Sequence, residues 1–459
     1  MSGRVLIVTY YFPPVGGIGV QRTLKYATYL PRWGWTPVIV APGDPAFPVR
    51  DLSLMATLPA DLEVHRTSSL EPGKLPNVAA RRFGRHGAGA ASGASVATDL
   101  GRAGVGSGPA AKILRKMMVV WNRIWAAVLF PDAVVPWRPF AVRAGKRANR
   151  RKPVDVIYSS AAPITTHLIA ASLKRSTGRP WVADFRDPWV GNPFAAPMSR
   201  PKRWLQRRQE RSIVRQADRV VLAMDGLRDM FVARYPELTD KFVYIPNGYD
   251  RNDVSGLVPI PGEAGRFTIL FAGSLYRPGE LEAMLGGVER LMARRPDLRA
   301  RLRVQFVGRV SADNRRLADA YTAPGRIGDV VSFEGFVPRH VALARMAGAD
   351  ALLQLMTAEP GTEMFVGGKL LEYLAFDRPI LAVMPHGEGR RLVDSLPMGR
   401  SADVEPDSVA DALERLLDDP PSPGPTDPEG RYDRVNLARE LARVLDEVVV
   451  EHEAHQGRR

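Results

Sequence analysis

The first residues able to do chemistry stand near the N-terminus. The run Tyr10-Tyr11-Phe12-Pro13-Pro14-Val15-Gly16-Gly17-Ile18-Gly19-Val20-Gln21-Arg22 follows an apolar stretch and precedes a helical pattern. Gly16, Gly17 and Gly19 would let backbone N–H groups approach an anion, and the N-terminus of the following helix adds a favourable dipole. A glycine-rich turn also serves simply to make the corner between strand and helix, and both readings stand on the sequence alone. The spacing departs from G-x-G-x-x-G, and no acidic residue closes the next strand, Pro37 to Val40, so a dinucleotide cofactor is disfavoured. There is no H-E-x-x-H, no His–carboxylate cluster, no P-loop and no G-x-S-x-G elbow, so the metalloprotease, P-loop hydrolase and α/β-hydrolase readings lack residues. With no cysteine, disulfides, thiolate zinc sites and cysteine nucleophiles are excluded.

The elements that position this turn repeat along the chain. Val5 to Val8 reads as a buried strand, 20–32 as a helix, Pro37 to Val40, Val154 to Tyr158 and Trp181 to Phe185 as strands, and a helix starts at Thr165. This is the βαβ signature of a parallel sheet. A second series follows: Phe267 to Phe271, Arg303 to Val307, Val330 to Phe333, Ala351 to Leu355 and Pro379 to Val383 read as strands separated by helices. The stretch 246–266, rich in Pro, Gly and Asn, is the expected linker between them. At 459 residues the chain is too long for one ordinary core. The expected organisation is an N-terminal Rossmann-like domain over 1–246, a second over 247–425, and a C-terminal helix within 426–459 that packs back on the first.

Composition narrows the class. The 45% apolar and 25% charged fractions are those of a globular protein, and no stretch reaches the roughly 18 apolar residues of a membrane span. The apolar run within 4–8 is too short for a secretory signal. A cytoplasmic location is therefore expected. The net charge of +15 gathers in the N-terminal half, notably at 143–152 and 202–215. Such charge fits a generic solvated surface, an anionic membrane or acceptor, or nucleic acid, in that order. Residues 84–109 are Gly, Ala and Ser with few large side chains, the composition of a disordered insertion. After it, Leu114, Met117, Met118, Trp121, Ile124, Trp125 and Val128 recur at helical spacing beside cations. This amphipathic stretch, 110–130, either packs on the N-terminal core or lies on the inner face of a membrane as a peripheral anchor.

Four motifs together resemble family 4 glycosyltransferases: the opening through Val40, Trp181-Val182-Ala183-Asp184-Phe185-Arg186-Asp187-Pro188-Trp189, Ile245-Pro246-Asn247-Gly248-Tyr249-Asp250, and Gly368-Lys369-Leu370-Leu371-Glu372-Tyr373-Leu374-Ala375. The resemblance implies an α/β GT-B fold, in which two Rossmann-like parallel-sheet domains face each other across a donor-binding cleft. It also implies a nucleotide-sugar co-substrate carrying UDP, GDP, ADP or TDP, hexosyl transfer with retention, and no metal ligand set. The expected acceptor is a cell-envelope glycan, a glycolipid or a secondary metabolite, and polysaccharide biosynthesis the setting. A sugar-nucleotide epimerase or hydrolase on the same fold, or a non-catalytic basic binding module, are the alternatives.

In that role Arg309, after the strand ending at Val307, and Lys369, opening a helix, would stabilise the charge on a departing diphosphate. By resemblance Glu372 would accept hydrogen bonds from the donor ribose, and the turn at Gly335 and Phe336 would flank the base. His167 would contact the transferred sugar or the acceptor, or else serve as a cap or packed polar group. Asp187 would orient an acceptor hydroxyl, or pair with Arg186 and brace its loop. Two departures from the family pattern stand out. Met364 lies eight positions before Glu372, where a second glutamate is common, with Glu363 next to it; and Ser274 replaces a diphosphate-binding arginine, for which Arg277 is the expected substitute, with Glu280 near the usual lysine.

Overall fold

The computed structural model describes residues 3–47, 50–71, 129–195, 197–275 and 278–457. The glycine-rich stretch 84–109, the amphipathic stretch 110–130 up to residue 128, and Arg277 lie outside them. The described chain forms two compact units, one of Met1–Pro246 with Arg434–Arg459 and one of Asn247–Asp433.

The first unit alternates strand and helix: β1 (Gly3–Thr9), α1 (Ile18–Tyr29), β2 (Trp35–Pro42), β3 (Glu63–Thr67), α2 (Arg138–Arg151), β4 (Val156–Ala161), α3 (Thr165–Thr177), β5 (Trp181–Phe185), α4 (Arg200–Gln216), β6 (Arg219–Leu222), α5 (Asp225–Arg234) and β7 (Phe242–Tyr244). All seven strands are parallel, in the order β3-β2-β1-β4-β5-β6-β7. β1, β4 and β5 are buried along their whole length, which is why they read as mainly apolar stretches without alternation; Ser159, Ser160 and Asp184 are the buried polar residues towards the carboxyl ends of β4 and β5. The chain leaves β1 towards β2 and β3, then returns to lay β4 on its other side, so the strand order reverses between β1 and β4. Ligands of doubly wound sheets bind at such a reversal, beyond the carboxyl ends of the strands. Gly145 of α2 sits against Leu173 of α3 and Leu6 of β1, and an added Cβ would overlap the Leu173 methyls.

The second unit repeats the plan with β8 (Phe267–Ala272), α6 (Pro278–Arg294), β9 (Leu302–Val307), α7 (Ala312–Tyr321), β10 (Val331–Gly335), α8 (Arg339–Gly348), β11 (Ala351–Leu355), α9 (Gly368–Tyr373), β12 (Ile380–Val383), α10 (Glu388–Ser395), β13 (Gly399–Ala402) and α11 (Pro406–Asp418). Its six parallel strands run β10-β9-β8-β11-β12-β13, reversing between β8 and β11. One face is packed by α6 and α11 through Leu281, Leu285, Val288, Val409, Leu413 and Leu416. The other is packed by α8 and α9 through Leu343, Met346, Leu370, Tyr373 and Leu374.

A last helix, α12 (Arg434–Gln456), belongs to the first unit. Its apolar stripe, Leu437, Leu441, Val444, Leu445 and Val448, packs with Tyr26 and Tyr29 of α1 and Tyr158 of β4. Residues 426–433 sit with the second unit rather than with this helix, so the boundary falls at 433/434 and not at 425/426. The reason is local: Thr426 Oγ1 donates to the Leu374 carbonyl (2.6 Å), and the Tyr249 hydroxyl donates to Asp427 Oδ2 (3.0 Å). Among the described residues no helix is long and apolar enough to cross a membrane, and no cluster of His, Asp and Glu has the makings of a metal site.

Candidate active site

At the carboxyl edge of the second sheet, three adjacent strands end in glycine. The Gly273 N–H donates to the Val307 carbonyl (2.8 Å) and the Gly308 N–H to the Gly335 carbonyl (2.6 Å). Gly308 has φ +137° and Gly335 φ +72°, conformations that L side chains avoid. A Cβ on Gly308 would overlap the Gly273 carbonyl, so the ends of β8 and β9 touch backbone to backbone. Beyond them Leu275 pairs with Val310, the Leu275 N–H donating to the Arg309 carbonyl (2.8 Å). The result is a floor with almost no side chains at the point where the strand order reverses.

Lys369 lies over that floor. A Cβ added to Gly273 would overlap its Cε and Cδ, so the lysine stem occupies the space the glycine leaves. Its helix, α9, is held by Tyr373, whose hydroxyl accepts from the Ala272 N–H (3.3 Å) and donates to the Leu353 carbonyl (3.1 Å). With Leu370, Tyr373 and Leu374 turned into the core, Lys369 and Glu372, three residues apart, share the other side. Lys369 has no hydrogen-bond acceptor or ion pair among the described residues. Burial pushes its ammonium below the usual lysine range; Glu372 pulls it back up and Arg339 pushes it further down.

Glu372 Oε1 accepts from Arg339 Nη1 (2.7 Å), and Arg339 also reaches Asp253 (3.4 Å). Burial would lower the Arg339 guanidinium, but Glu372 and Asp253 outweigh it and hold it above its ordinary value. Phe336 is 70% exposed, and the Arg309 guanidinium lies over its ring at 5.1 Å. An open aromatic face beside a cation that makes no ion pair among the described residues is the kind of surface that takes a planar, electron-rich ring. Ser274 is exposed on the same floor. Lys369, Glu372, Arg309, Gly335 and Phe336 therefore gather at one sheet edge; Arg277 is not described. Glu363 is exposed and Met364 half-buried, in the short helical turn before α9.

The matching edge of the first sheet is arranged otherwise. Arg22 of α1 is 2% exposed and grips Asp184 with two bonds (Nε to Oδ2 at 3.0 Å, Nη2 to Oδ1 at 2.9 Å). Asp184 Oδ2 also accepts from Tyr158 (2.6 Å) and Ser160 (2.9 Å). Arg22 further donates to the Ile245 (2.9 Å) and Pro246 (2.7 Å) carbonyls. Burial would drag the guanidinium down, yet Asp184, with Tyr26 and Tyr158, holds it above its ordinary value.

His167 is fully buried. Its Nδ1 lies 2.8 Å from Ser159 Oγ, which also accepts from Trp181 Nε1 (2.7 Å), and its ring packs on Phe185 at 4.5 Å. Burial lowers its pKa to about 3 against a weak upward pull from Asp184, so the imidazole stays neutral and presents no atom to solvent. Asp187 is exposed at the end of β5, and the surrounding protein raises its carboxyl above the usual range, with Arg186 opposing and Asp184 adding. Arg186 makes no ion pair with Asp187. It donates instead to the carbonyls of Ala161 (2.9 Å) and Gly19, and stands over Tyr11 at 5.8 Å. Gly16 is buried, while Gly17, φ +96°, is open and precedes α1.

Residues 105–253 match the family described as Glycosyltransferase Family 4, and residues 266–419 match Glycosyl transferases group 1. The chain belongs to glycosyltransferase family 4. A curated relative of this family 4 chain, D-inositol 3-phosphate glycosyltransferase from Nocardiopsis dassonvillei, is 28% identical over 244 residues, covering 50% of this chain. The chain spans only 55% of that relative's length. Among solved structures, a glycosyltransferase from Rickettsia africae superposes with TM-score 0.62 at 12% identity, covering 98% of this chain and 99% of that one. The Anabaena HepE protein, solved in complex with UDP, gives 0.59 at 14% identity, covering 97% and 100%. At these identities the structures establish the fold, which is GT-B.

Arg339, Arg22, Gly273 and Gly308 were not legible as site residues in the sequence. Arg22 stood in the quoted glycine-rich run, but nothing local marks a helical arginine as buried. Its partner is 162 residues away and is reached only through the parallel sheet.

Proposed function

We propose that this family 4 chain transfers a hexose from a nucleotide-sugar donor to a hydroxyl of a cell-envelope glycan, glycolipid or secondary metabolite, with retention of configuration. The observation that carries the reading is Lys369, a half-buried cation that makes no ion pair among the described residues, its stem spread over the glycine floor beside the strand-order reversal of the second sheet. In the proposed reaction the bond between the anomeric carbon and the diphosphate oxygen breaks and its electron pair leaves with the diphosphate, the acceptor oxygen bonds to that carbon on the same face, and the acceptor's hydroxyl proton passes to the departing diphosphate oxygen. Lys369 and Arg309 would stabilise that charge more in the transition state than in the ground state. Arg339 would hold the Glu372 carboxylate towards the ribose hydroxyls, and Phe336 would flank the base. Asp187 is proposed to orient the acceptor hydroxyl. His167, neutral and out of contact with solvent, is a positioning residue in this reading: its ring packs on Phe185, the last residue of β5, beyond which Asp187 projects.

The test is a thermal-shift screen of UDP-, GDP-, ADP- and TDP-linked sugars. A donor at 100 times its Kd stabilises by about 2.7 kcal/mol, and one base is expected to stand out. Silence from all four would remove the reading. Release of nucleoside diphosphate that requires an added acceptor distinguishes a transferase from a hydrolase or epimerase on the same fold.

A further inference from the structure

Helix α4 carries seven cations in 17 residues, RPKRWLQRRQERSIVRQ. Its inward stripe is Gln206, Glu210, Ile213 and Val214. At about 100° per residue the direction opposite that stripe is occupied by Arg208, with Trp204 about 45° to one side of it. Trp204 is 62% exposed and Leu205 41%, and Phe194, in the loop leading into the helix, is also exposed. The helix has one acidic residue, and it is turned away: Glu210 accepts from the Val190 N–H (3.0 Å) and the Tyr235 hydroxyl (2.9 Å) and pairs with Arg234. The outer face therefore bears cations only. Arg211 and Arg215 lean on Glu237, whereas Arg200, Arg203, Arg207 and Arg208 make no ion pair among the described residues. Arg208 lies over the Trp204 ring at 5.6 Å.

We propose that this face of α4 docks the protein on an anionic lipid bilayer, with Trp204 and Leu205 entering the headgroup boundary and the four unpaired arginines meeting lipid phosphates. A tryptophan at the centre of a cation-rich face is stranded in water but well placed at a membrane interface, where its ring is half wet and half apolar. A nucleic-acid backbone would satisfy the arginines as well, yet gives exposed Leu205 beside Trp204 nothing to bury against; a bilayer does. In a parallel sheet the helix after a strand begins at the strand's carboxyl end. α4 therefore starts from the edge of β5 that bears Asp187, and docking on this face brings that edge near the lipid. The inference stands on this surface alone and does not depend on the donor reading.

The test uses the full-length protein and vesicles of phosphatidylcholine alone or of phosphatidylcholine and phosphatidylglycerol in equal parts. Co-sedimentation is expected with the anionic vesicles only, weakening with salt. Arg203→Glu, Arg207→Glu and Arg208→Glu together are expected to lower the partition coefficient on the order of 100-fold, since each cation near an anionic surface is worth roughly fivefold. Trp204→Ala is expected to lower it about tenfold with an unchanged melting temperature, and Trp204→Phe to retain most of the binding. Equal binding to neutral vesicles, or no binding to anionic ones, overturns the proposal. So does full binding by the triple variant, which would assign membrane affinity to another segment such as 110–130. Duplex DNA that binds in an arginine-dependent but Trp204-independent way, with vesicles ignored, would make the face a nucleic-acid surface instead.

Discussion

The two sheet edges share one architecture and use charge in opposite ways. At the first, Arg22 and Asp184 are spent on each other and on Tyr158, Ser160 and the carbonyls of Ile245 and Pro246, all buried. At the second, Lys369 lies over a backbone floor and Arg309 over the Phe336 ring, and neither makes an ion pair among the described residues. A fully satisfied buried pair fixes local geometry, but it holds nothing in reserve for a ligand; an unpaired cation over glycines costs stability and is available to an anion. The same doubly wound plan thus yields one braced edge and one receptive edge.

The contrast can be broken most forcefully at Asp184. Asp184→Ala strands the Arg22 charge and is expected to cost about 3–5 kcal/mol in urea unfolding; a cost near zero would mean that the network does not brace the first unit. Lys369→Ala should do the reverse. Removing a half-buried ammonium is expected to leave the melting temperature unchanged or higher while weakening nucleotide binding by about 1.5–3 kcal/mol in calorimetry. Because the lysine pKa is depressed, nucleotide affinity should also fall as pH rises through that lowered value, and Lys369→Arg should abolish the fall.

His167 offers a smaller, pH-resolved test. The folded state holds the imidazole neutral down to about pH 3, whereas the unfolded chain takes up a proton near the ordinary value of 6.5. The contribution of neutral His167 is present above pH 6.5 and is lost as pH falls towards 3, with a slope of up to about 1.4 kcal/mol per pH unit. His167→Asn is expected to flatten that part of the acid-unfolding profile. Phe336→Ala should be the mildest change: almost no effect on stability, because the ring is mostly in solvent, and a loss of about 1 kcal/mol in nucleotide affinity.

Much of the fold was legible because buried parallel strands are apolar on both faces. β1, β5, β8, β9 and β11 fall where predominantly apolar runs predict them, with single polar residues such as Asp184, Gln305 and Gln354 inside the runs. The four strands the pattern did not reveal, β3 (EVHRT), β6 (RVVL), β7 (FVY) and β13 (GRSA), are short; β3, β7 and β13 form sheet edges, where polar residues are tolerated, and β6 lies next to one. The candidate site divides in the same way. Lys369, Glu372, Gly335 and Phe336 lie in local motifs, so their neighbourhood could be read in one dimension. The Arg339–Glu372 and Arg22–Asp184 pairs could not, since a surface arginine and a buried one look alike until the sheet brings their partners within 3 Å.

Helix α12 carries a consequence for how the chain is made. The first unit's core needs Leu437, Leu441, Val444 and Leu445 against Tyr26, Tyr29 and Tyr158, yet these arrive only after the whole of Asn247–Asp433 has been synthesised. At ~5–20 residues per second the ribosome leaves that apolar face uncovered for roughly ten seconds or more. During that interval the nascent first unit is a natural client for chaperones, while the second unit, contiguous in sequence, has all it needs to fold as it emerges.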